Sequence, residues 1–142
     1  MAEQLSDFLV AIAVHLGAES SSLVWDPNYE YQDTDTGIII KDVPLYPDRI
    51  VTITGYFDDL DIVLPLREIN FQLRIRGSQF PTNCDDIAEE CRNLLHGQHR
   101  VTWNGLRIDR IRHLSASVLG PDIQNRWERT DNYELLAQKR EL

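Results

Sequence analysis

Residues 69–95 read INFQLRIRGSQFPTNCDDIAEECRNLL, and this stretch predicts one strand followed by one helix. The first part alternates: the odd positions from Ile69 to Ile75 are apolar, whereas the even positions from Asn70 to Arg76 are polar. Alternation with a period of two is typical of a strand that buries one face. We therefore expect a central strand whose pattern begins near Leu66.

The second part predicts a helix that can cover this strand. Thr82 is the expected N-cap, and Asp85 three residues later suggests a capping box. Gly97 is positioned to end the helix. Between these ends, apolar residues recur at helical spacing at Ile87, Ala88, Cys91, Leu94 and Leu95. Because the strand face and the helix stripe are both apolar, we expect them to form the centre of the core.

The chain is long enough for one domain with a substantial core. It has 142 residues, of which 42% are hydrophobic and 26% charged, as is ordinary for a globular protein. Its acidic start does not resemble a signal peptide, and no run approaches the roughly 20 apolar residues that a membrane-spanning helix needs. We expect a single domain over residues 1–142, in a cytosol or in an assembly that is built in one.

The net charge of −9 is unevenly distributed along the chain. Residues 1–71 hold 3 basic and 13 acidic side chains, whereas residues 72–142 hold 11 basic and 10 acidic ones. A general nucleic-acid-binding protein would show a basic field, so the charge disfavours this class. The asymmetry suits a subunit whose acidic region faces a basic neighbour or an open lumen, although solubility alone also explains an acidic surface.

A long polar segment at residues 26–36 lacks any apolar period. It carries acidic residues and two tyrosines, and loops of this length without secondary structure are often functional. The DTDTG sequence at residues 33–37 does not fit a calcium loop, because Ile38 and Pro44 stand where the motif needs Gly and Glu. We expect an exposed contact surface that includes Tyr29, Tyr31, Asp33 and Asp35.

The remaining periodicities predict another helix and several strands. An amphipathic helix should span Glu3–Leu16 and end at Gly17. A phase slip at Ile111 indicates a bulge, and Asn104-Gly105 is a strong hairpin-turn signal. The expected strands are Leu23–Trp25, Gly37–Val43, Arg49–Tyr56, Arg100–Trp103, Leu106–Val118 and Gln124–Leu136, followed by a mobile tail at residues 138–142.

These elements predict an α+β domain with two layers. Hairpin-like links indicate a mainly antiparallel sheet of four to six strands, with the two amphipathic helices packed on one face. The other face carries the polar side chains of the central strand, so we expect it to meet water or a partner. Arg74 and Arg76 are assigned to that face as candidates for pairing with carboxylates of a neighbouring molecule, the alternative being a solvated surface.

Three carboxylates, Asp58, Asp59 and Asp61, form a predicted turn after the Arg49–Tyr56 strand. Together with His113, such groups could support acid–base hydrolysis. No nucleophile or glycine-rich phosphate loop accompanies them in the sequence. A solvated or contact-forming turn is therefore the preferred interpretation, and we expect no enzyme activity, no metal ion and no cofactor.

The order of these elements resembles the tail terminator (tail-completion, minor capsid) proteins of long-tailed bacteriophages. The likeness rests on an N-terminal helix that leads into a strand, followed by an acidic, loop-rich segment. It also rests on the strand Phe71–Gly77, which runs into the helix ending in LLHG at residues 94–97. The last element is the segment Arg126–Leu135, where an arginine and a short polar step precede an Asn-Tyr pair.

The resemblance implies a structural role in the virion and no bond chemistry. Such proteins form a hexameric ring at the head-proximal end of the tail tube, stop tube polymerisation and provide the docking face for the head or neck. Double-stranded DNA passes through the ring without specific binding, which an acidic lumen favours. The implied partners are the chain itself, the tail tube protein and a head-completion or neck protein, in the virion and, during assembly, in the host cytoplasm.

Three alternatives remain open on the sequence. One is another head–tail connector or a tube subunit of the same particle. A second is a small acid–base hydrolase that uses the carboxylates of residues 58–61. A third is a protein-binding α+β module of a cell, which would not form a closed ring. The residues expected to make contacts under the preferred interpretation are Tyr29, Tyr31, Asp33, Asp35, Asp58, Asp59, Asp61, Arg74 and Arg76.

Overall fold

The computed structural model describes residues 4–138, in which two helices pack against one sheet. The helices are α1 (Leu5–Glu19) and α2 (Asn83–Leu95). The strands in chain order are β1 (Leu23–Trp25), β2 (Thr36–Ile40), β3 (Arg49–Leu60), β4 (Leu66–Arg76), β5 (His99–Trp103), β6 (Leu106–Pro121) and β7 (Trp127–Gln138). The predicted α+β class is therefore confirmed.

The sheet has seven strands in the order β1-β2-β3-β4-β7-β6-β5. Strands β1, β2 and β3 run parallel to one another, whereas β4, β7, β6 and β5 add antiparallel pairings. The expectation of four to six strands in a mainly antiparallel sheet is wrong, because the sheet is larger and mixed. The links at residues 26–35 and 41–48 are long enough to return the chain to its starting end, so they join parallel strands.

Strand β4 is central, as predicted. It pairs along its whole length with β3 on one side and β7 on the other. Its odd-numbered side chains from Ile69 to Ile75 are fully buried, and Ile87, Cys91 and Leu95 of α2 belong to the same core. Helix α1 adds a second stripe to this core through Phe8, Leu9, Ala11, Ile12, Ala13 and Leu16. Both helices therefore cover one face of the sheet.

Helix α2 begins where predicted but without the predicted capping box. Thr82 has a helical backbone conformation, and its side chain makes no capping hydrogen bond. Asp85 instead accepts a hydrogen bond from Nη1 of Arg129 at 2.7 Å, which ties the first turn of α2 to β7. At the other end Gly97 follows the helix with φ +84°, so its predicted role as a helix stop is confirmed.

Helix α1 runs through Gly17 to Glu19, so the expectation that Gly17 ends it is wrong. A Cβ atom at Gly17 would lie 2.7 Å from the Cβ of Trp25, so this glycine permits the close approach of β1. His15 stacks on Trp103 of β5, with ring centroids 3.7 Å apart. His15 and Gly17 are two positions apart, so they point in directions about 200° apart around the helix axis. The two edge strands therefore contact α1 from opposite sides, and the sheet curls around this helix.

The β3–β4 hairpin is longer than predicted. Strand β3 extends to Leu60, so Asp58 and Asp59 lie on the strand and only Asp61 lies in the turn that follows. Residues 56–64 are mostly exposed, in contrast to the buried positions at the other end of β3. The tip of this hairpin is therefore open to a partner.

The C-terminal strands agree with the prediction except at their ends. The bulge predicted in β6 is confirmed by a register shift just after Ile108. Asn104 and Gly105 both have positive φ, as the predicted two-residue hairpin turn requires. The predicted helix start at Glu3 and residues 139–142 of the predicted tail lie outside the described residues, whereas Gln138, the first residue of that predicted tail, belongs to β7. Neither helix within residues 4–138 is long and apolar enough to cross a membrane.

Replacing Ile75 by alanine should destabilise the fold, because Ile75 is completely buried on the central strand. We expect the free energy of unfolding to fall by about 2–5 kcal/mol in urea titrations followed by circular dichroism. The matched control is Ile62→Ala. Ile62 is 97% exposed, so its truncation should change the free energy of unfolding by less than ~0.5 kcal/mol. Equal losses in the two variants would contradict the assignment of the core.

Candidate functional site

The acidic loop between β1 and β2 folds against the edge of the sheet. The Tyr31 hydroxyl donates a hydrogen bond to the carbonyl oxygen of Ile38 and accepts one from the Asp26 N–H at 3.1 Å. The Tyr29 hydroxyl accepts a hydrogen bond from the Ile40 N–H at 3.4 Å. The two tyrosines therefore line the edge of β2 beyond the end of β1. Burial in this position raises the pKa of Tyr31.

The carboxylates of this loop differ in their surroundings. Asp35 accepts a hydrogen bond from the Gln32 N–H at 2.8 Å and so stabilises a turn within the loop. Glu30 and Asp33 are exposed, and neither has a hydrogen-bond or ion-pair partner among residues 4–138. Asp33 is thus accessible to a partner, whereas Asp35 is engaged within the loop.

Two of the carboxylates near the β3–β4 turn have structural roles. Arg67 donates two hydrogen bonds to the Asp58 carboxylate, from Nε at 2.8 Å and from Nη2 at 2.7 Å. The hydrogen bond from Arg67 holds the pKa of Asp58 below its usual value. Asp61 accepts hydrogen bonds from the N–H groups of Val63 and Leu64 at 2.8 and 2.7 Å. These contacts fix the shape of the hairpin tip.

The structure does not assemble the hydrolase considered from the sequence. Asp58 and the exposed Asp59 lie on β3, and His113 lies on β6, with β4 and β7 between them. Three strand spacings of about 4.8 Å place these strands roughly 14 Å apart. Nε2 of His113 lies 2.8 Å from a carboxylate oxygen of the buried Asp131. Within residues 4–138, no group of three or more His, Cys, Asp or Glu side chains is arranged to hold a metal ion.

Arg74 lies on the polar face of the sheet, as predicted. Its side chain is 42% exposed, and its Nε lies 3.2 Å from a carboxylate oxygen of Glu128 on β7. Next to this pair, Gln72 donates a hydrogen bond to Asn132 at 3.1 Å. The polar face is therefore cross-linked by contacts within the chain, and Arg74 remains partly accessible.

Arg76 is buried, so the expectation that it lies on an exposed face is wrong. Its guanidinium group donates hydrogen bonds to the carbonyl oxygens of Pro44, Pro47 and Asp48 at 2.7–2.8 Å. These contacts hold the loop between β2 and β3 over this end of the polar face, and burial lowers the pKa of Arg76. The sequence gives no signal of this role, because these partners lie 28 to 32 residues earlier in the chain.

Two exposed apolar surfaces escape the sequence analysis. The first, here called the hairpin-tip patch, lies at the β3–β4 turn and comprises Leu60, Ile62, Val63 and Leu64. The second, the far-end patch, comprises Leu45, Tyr46, Phe80 and Ile123 on three loops. The available signal is the apolar run IVL at residues 62–64, which lies between the predicted carboxylate turn and the predicted start of the central strand near Leu66, so no predicted element includes it.

The two patches lie at opposite ends of the sheet. The hairpin tip joins β3 to β4, whereas the loops of the far-end patch adjoin the other ends of these strands and of β6 and β7. Hydrogen bonds connect the segments at this far end. Arg126 donates to the carbonyl oxygen of Leu45 at 2.7 Å, and the Trp127 N–H donates to the carbonyl oxygen of Ser78 at 3.1 Å. The chain therefore presents apolar surface in two opposite directions.

A family model described as bacteriophage tail terminator protein matches residues 27–139. The chain belongs to the bacteriophage tail terminator family. This confirms the resemblance that the order of elements suggested. Membership makes the chain a structural protein of the phage tail and a component of the virion.

Solved structures agree with the fold of this chain. Eighteen of their chains match, and one of these belongs to the virion of a native gene transfer agent (GTA) particle. The two chains share 11% identity over 70% of this chain and 78% of the other, with a TM-score of 0.52. At this identity the likeness concerns the fold alone. A comparison with curated proteins found no match.

Arg76→Ala should be strongly destabilising, because it leaves the buried carbonyl oxygen of Pro47 and the part-buried carbonyl oxygens of Pro44 and Asp48 without their donor. We expect the free energy of unfolding to fall by about 3 kcal/mol or more, and limited proteolysis to cut faster within residues 41–48. The control is Arg74→Ala, which removes only a partly exposed ion pair and should cost less than ~1 kcal/mol. Similar losses in both variants, measured by urea unfolding, would refute the structural role of Arg76.

The ion pair between Asp58 and Arg67 should make the free energy of unfolding depend on pH. Because the folded-state pKa of Asp58 lies below its usual value of 3.8, the unfolded chain takes up the proton first as the pH falls. The stabilisation is complete well above pH 3.8 and is lost as the pH falls through the folded-state pKa. Urea midpoints of Asp58→Asn should lie below those of the wild type near neutral pH and converge with them in acid. A constant difference between the urea midpoints of the two proteins at all pH values would contradict this expectation.

Proposed function

We propose that six copies of this chain form a ring that caps the head-proximal end of the tail tube. The ring stops tube polymerisation and provides the docking face for the head or neck. Family membership supports a structural role in the tail. The observation that carries the finer proposal is the pair of apolar patches at opposite ends of one sheet. A cap needs two such faces, one for the tube and one for the neck protein.

The hairpin-tip patch has the character of a protein contact. Single exposed apolar residues are ordinary on a protein surface, but consecutive ones at a hairpin tip form a patch that favours binding. Ile62, Val63 and Leu64 are consecutive, and Asp61 fixes the turn from which they project. Burial of such side chains contributes about 25 cal/mol per Å² of apolar surface. Because the hairpin tip is already ordered, the entropy cost of fixing it on binding offsets little of this free energy.

The acidic balance suits the passage of double-stranded DNA through the ring. The net charge is −9, and a lumen through which DNA slides works best without cations that hold phosphates. In this proposal the DNA passes without specific binding, no covalent bond is made or broken, and no cofactor takes part. The ring belongs to the head-proximal end of the tail in the virion and assembles in the host cytoplasm.

Purified tail tubes provide the test of this function. Added to growing tubes, the chain should stop elongation, and electron microscopy should show one additional ring at one end of each tube. Capped tubes should then join heads, whereas uncapped tubes should not. A chain that adds ring after ring would be a tube subunit. A chain that leaves both the length and the ends of tubes unchanged would overturn the proposal.

Ile62→Asp and Ile123→Asp should separate the two docking faces. Each substitution places a charge in one apolar patch, at residues that are 97% and 99% exposed, so folding stability should change by less than ~0.5 kcal/mol. We expect one variant to lose binding to tubes and to keep binding to the neck protein, and the other to do the reverse, in co-sedimentation assays. Each variant is the matched control of the other. Two variants with the same loss, or with none, would contradict the assignment of opposite faces.

A further inference from the structure

We propose that neighbouring copies of this chain join through two oppositely charged edges of the sheet. The acidic loop between β1 and β2 of one copy contacts the basic β5–β6 edge of the next copy. This inference rests on the proposed ring and names the surfaces that close it. The partner at each edge is a second copy of the same chain.

Few basic side chains lie near the acidic edge to offset its negative charge. No lysine or arginine precedes Lys41 in the sequence. The carboxylates of the loop are those of Asp26, Glu30, Asp33 and Asp35. Glu30 and Asp33 are exposed without a polar partner in the part of the chain that the structure describes. Arg49 contacts the loop, but through the carbonyl oxygen of Thr34 and not through a carboxylate.

The two tyrosines hold the acidic loop in one conformation, so that it offers an ordered surface to a partner. The hydroxyl of Tyr31 binds the backbone on both sides of the loop, at Asp26 and at Ile38. Tyr29 is 44% exposed and packs edge-on against Trp25, with ring centroids 5.9 Å apart. An aromatic side chain held beside carboxylates offers both contact area and charge to a partner.

The opposite edge of the sheet is basic. Its exposed arginines are Arg100, Arg107, Arg110 and Arg112 on β5 and β6. Arg110 and Arg112 share a single carboxylate, that of Glu134, at 3.0 and 3.4 Å. Two guanidinium groups on one carboxylate keep a net positive charge, so this pair still attracts an anion.

Arg100 and Arg107 line a cleft of about 510 Å³ on the same edge. Neither side chain has an ion-pair partner among the described residues. Asp109 also lines the cleft and is the one acidic residue in the sequence between residues 99 and 112. Guanidinium groups bind carboxylates through two parallel hydrogen bonds. The cleft therefore fits acidic side chains from a neighbouring chain.

The two charged edges cannot satisfy each other within one chain. They lie at the two ends of the seven-strand order, and α1 lies between the edge strands. Gly17 contacts Trp25 on one side of α1, and His15 stacks on Trp103 on the other. No ion pair joins the two edges within residues 4–138. Complementary surfaces on opposite sides of a subunit produce head-to-tail association, which closes into a ring when the rotation allows it.

Two charge-reversed variants test this arrangement. E30R/D33R replaces the two unpaired carboxylates of the acidic edge by guanidinium groups, and R100E/R107E replaces the two unpaired arginines of the cleft by carboxylates. All four side chains are exposed, so circular dichroism and thermal unfolding should match those of the wild type. By light scattering, wild type should form hexamers, whereas each variant alone should need at least about tenfold more protein to assemble. An equimolar mixture should restore hexamers, because the two variants can alternate around a ring with an even number of copies.

The control is D86R/E89R, which makes the same charge change as E30R/D33R on the exposed side of α2. It should assemble like wild type. Raising the ionic strength from about 0.05 M to about 0.5 M should weaken wild-type assembly, because salt screens exposed charges. Three outcomes would each overturn the proposal: a hexamer formed by either variant alone at the concentration that suffices for wild type, a mixture that does not assemble, and a wild-type chain that stays monomeric at every concentration.

The tube assay keeps this proposal separate from the proposed function. If both reversed variants still cap tubes with a complete ring, the charged edges are not the contacts between copies, and the capping function stands. If the mixture assembles as expected but wild-type rings do not stop tube growth, the edges are correct and the capping function fails.

Discussion

The fold depends on covering the apolar face of a seven-stranded sheet with only two helices. Seven strands spaced about 4.8 Å apart span roughly 29 Å, whereas two packed helices cover about 20 Å. A flat sheet would leave its outer strands uncovered, so the sheet curls until both edge strands reach α1. Gly17 and His15 make these two contacts. Since the helices occupy the inside of the curl, the surfaces left for partners are the outer face, the strand ends and the sheet edges.

The outer face is itself partly covered. Ile39 and Ile50 are buried, yet they stand outside the main core. The loop between β2 and β3 lies at this position, and two arginines hold it: Arg76 and Arg126 each donate to its carbonyl oxygens. Burial first and the nearby charge of Arg126 second lower the pKa of Arg76. An arginine at a polar position of an alternating strand can thus be a structural group, which explains why Arg76 differs from Arg74.

Sequence periodicity predicts features that are decided by nearby residues, such as β4, α2 and the Asn104-Gly105 turn. The parallel pairing of β1, β2 and β3 depends on where long loops return the chain, which local patterns do not encode. The hairpin-tip patch escapes prediction because an apolar run of three residues does not itself show whether its side chains are buried or exposed. The polarity of a residue likewise does not show whether its side chain is free to contact a partner or is already held by contacts within the chain. The accessible candidates are Tyr29, Asp33, Asp59 and Arg74, and those held by contacts within the chain are Tyr31, Asp35, Asp58, Asp61 and Arg76.

In the proposed ring the two kinds of surface have different roles. Apolar contact is non-directional, so the patches at the ends of the sheet stabilise binding to the tube and the neck without fixing a rotation. Charge has a sign: an acidic edge repels another acidic edge, which disfavours two-fold dimers in which like edges meet. Head-to-tail order is the arrangement that pairs both edges of every copy. The angle between those edges follows from the curl of the sheet, so the curvature that buries the core also determines how neighbouring copies are oriented.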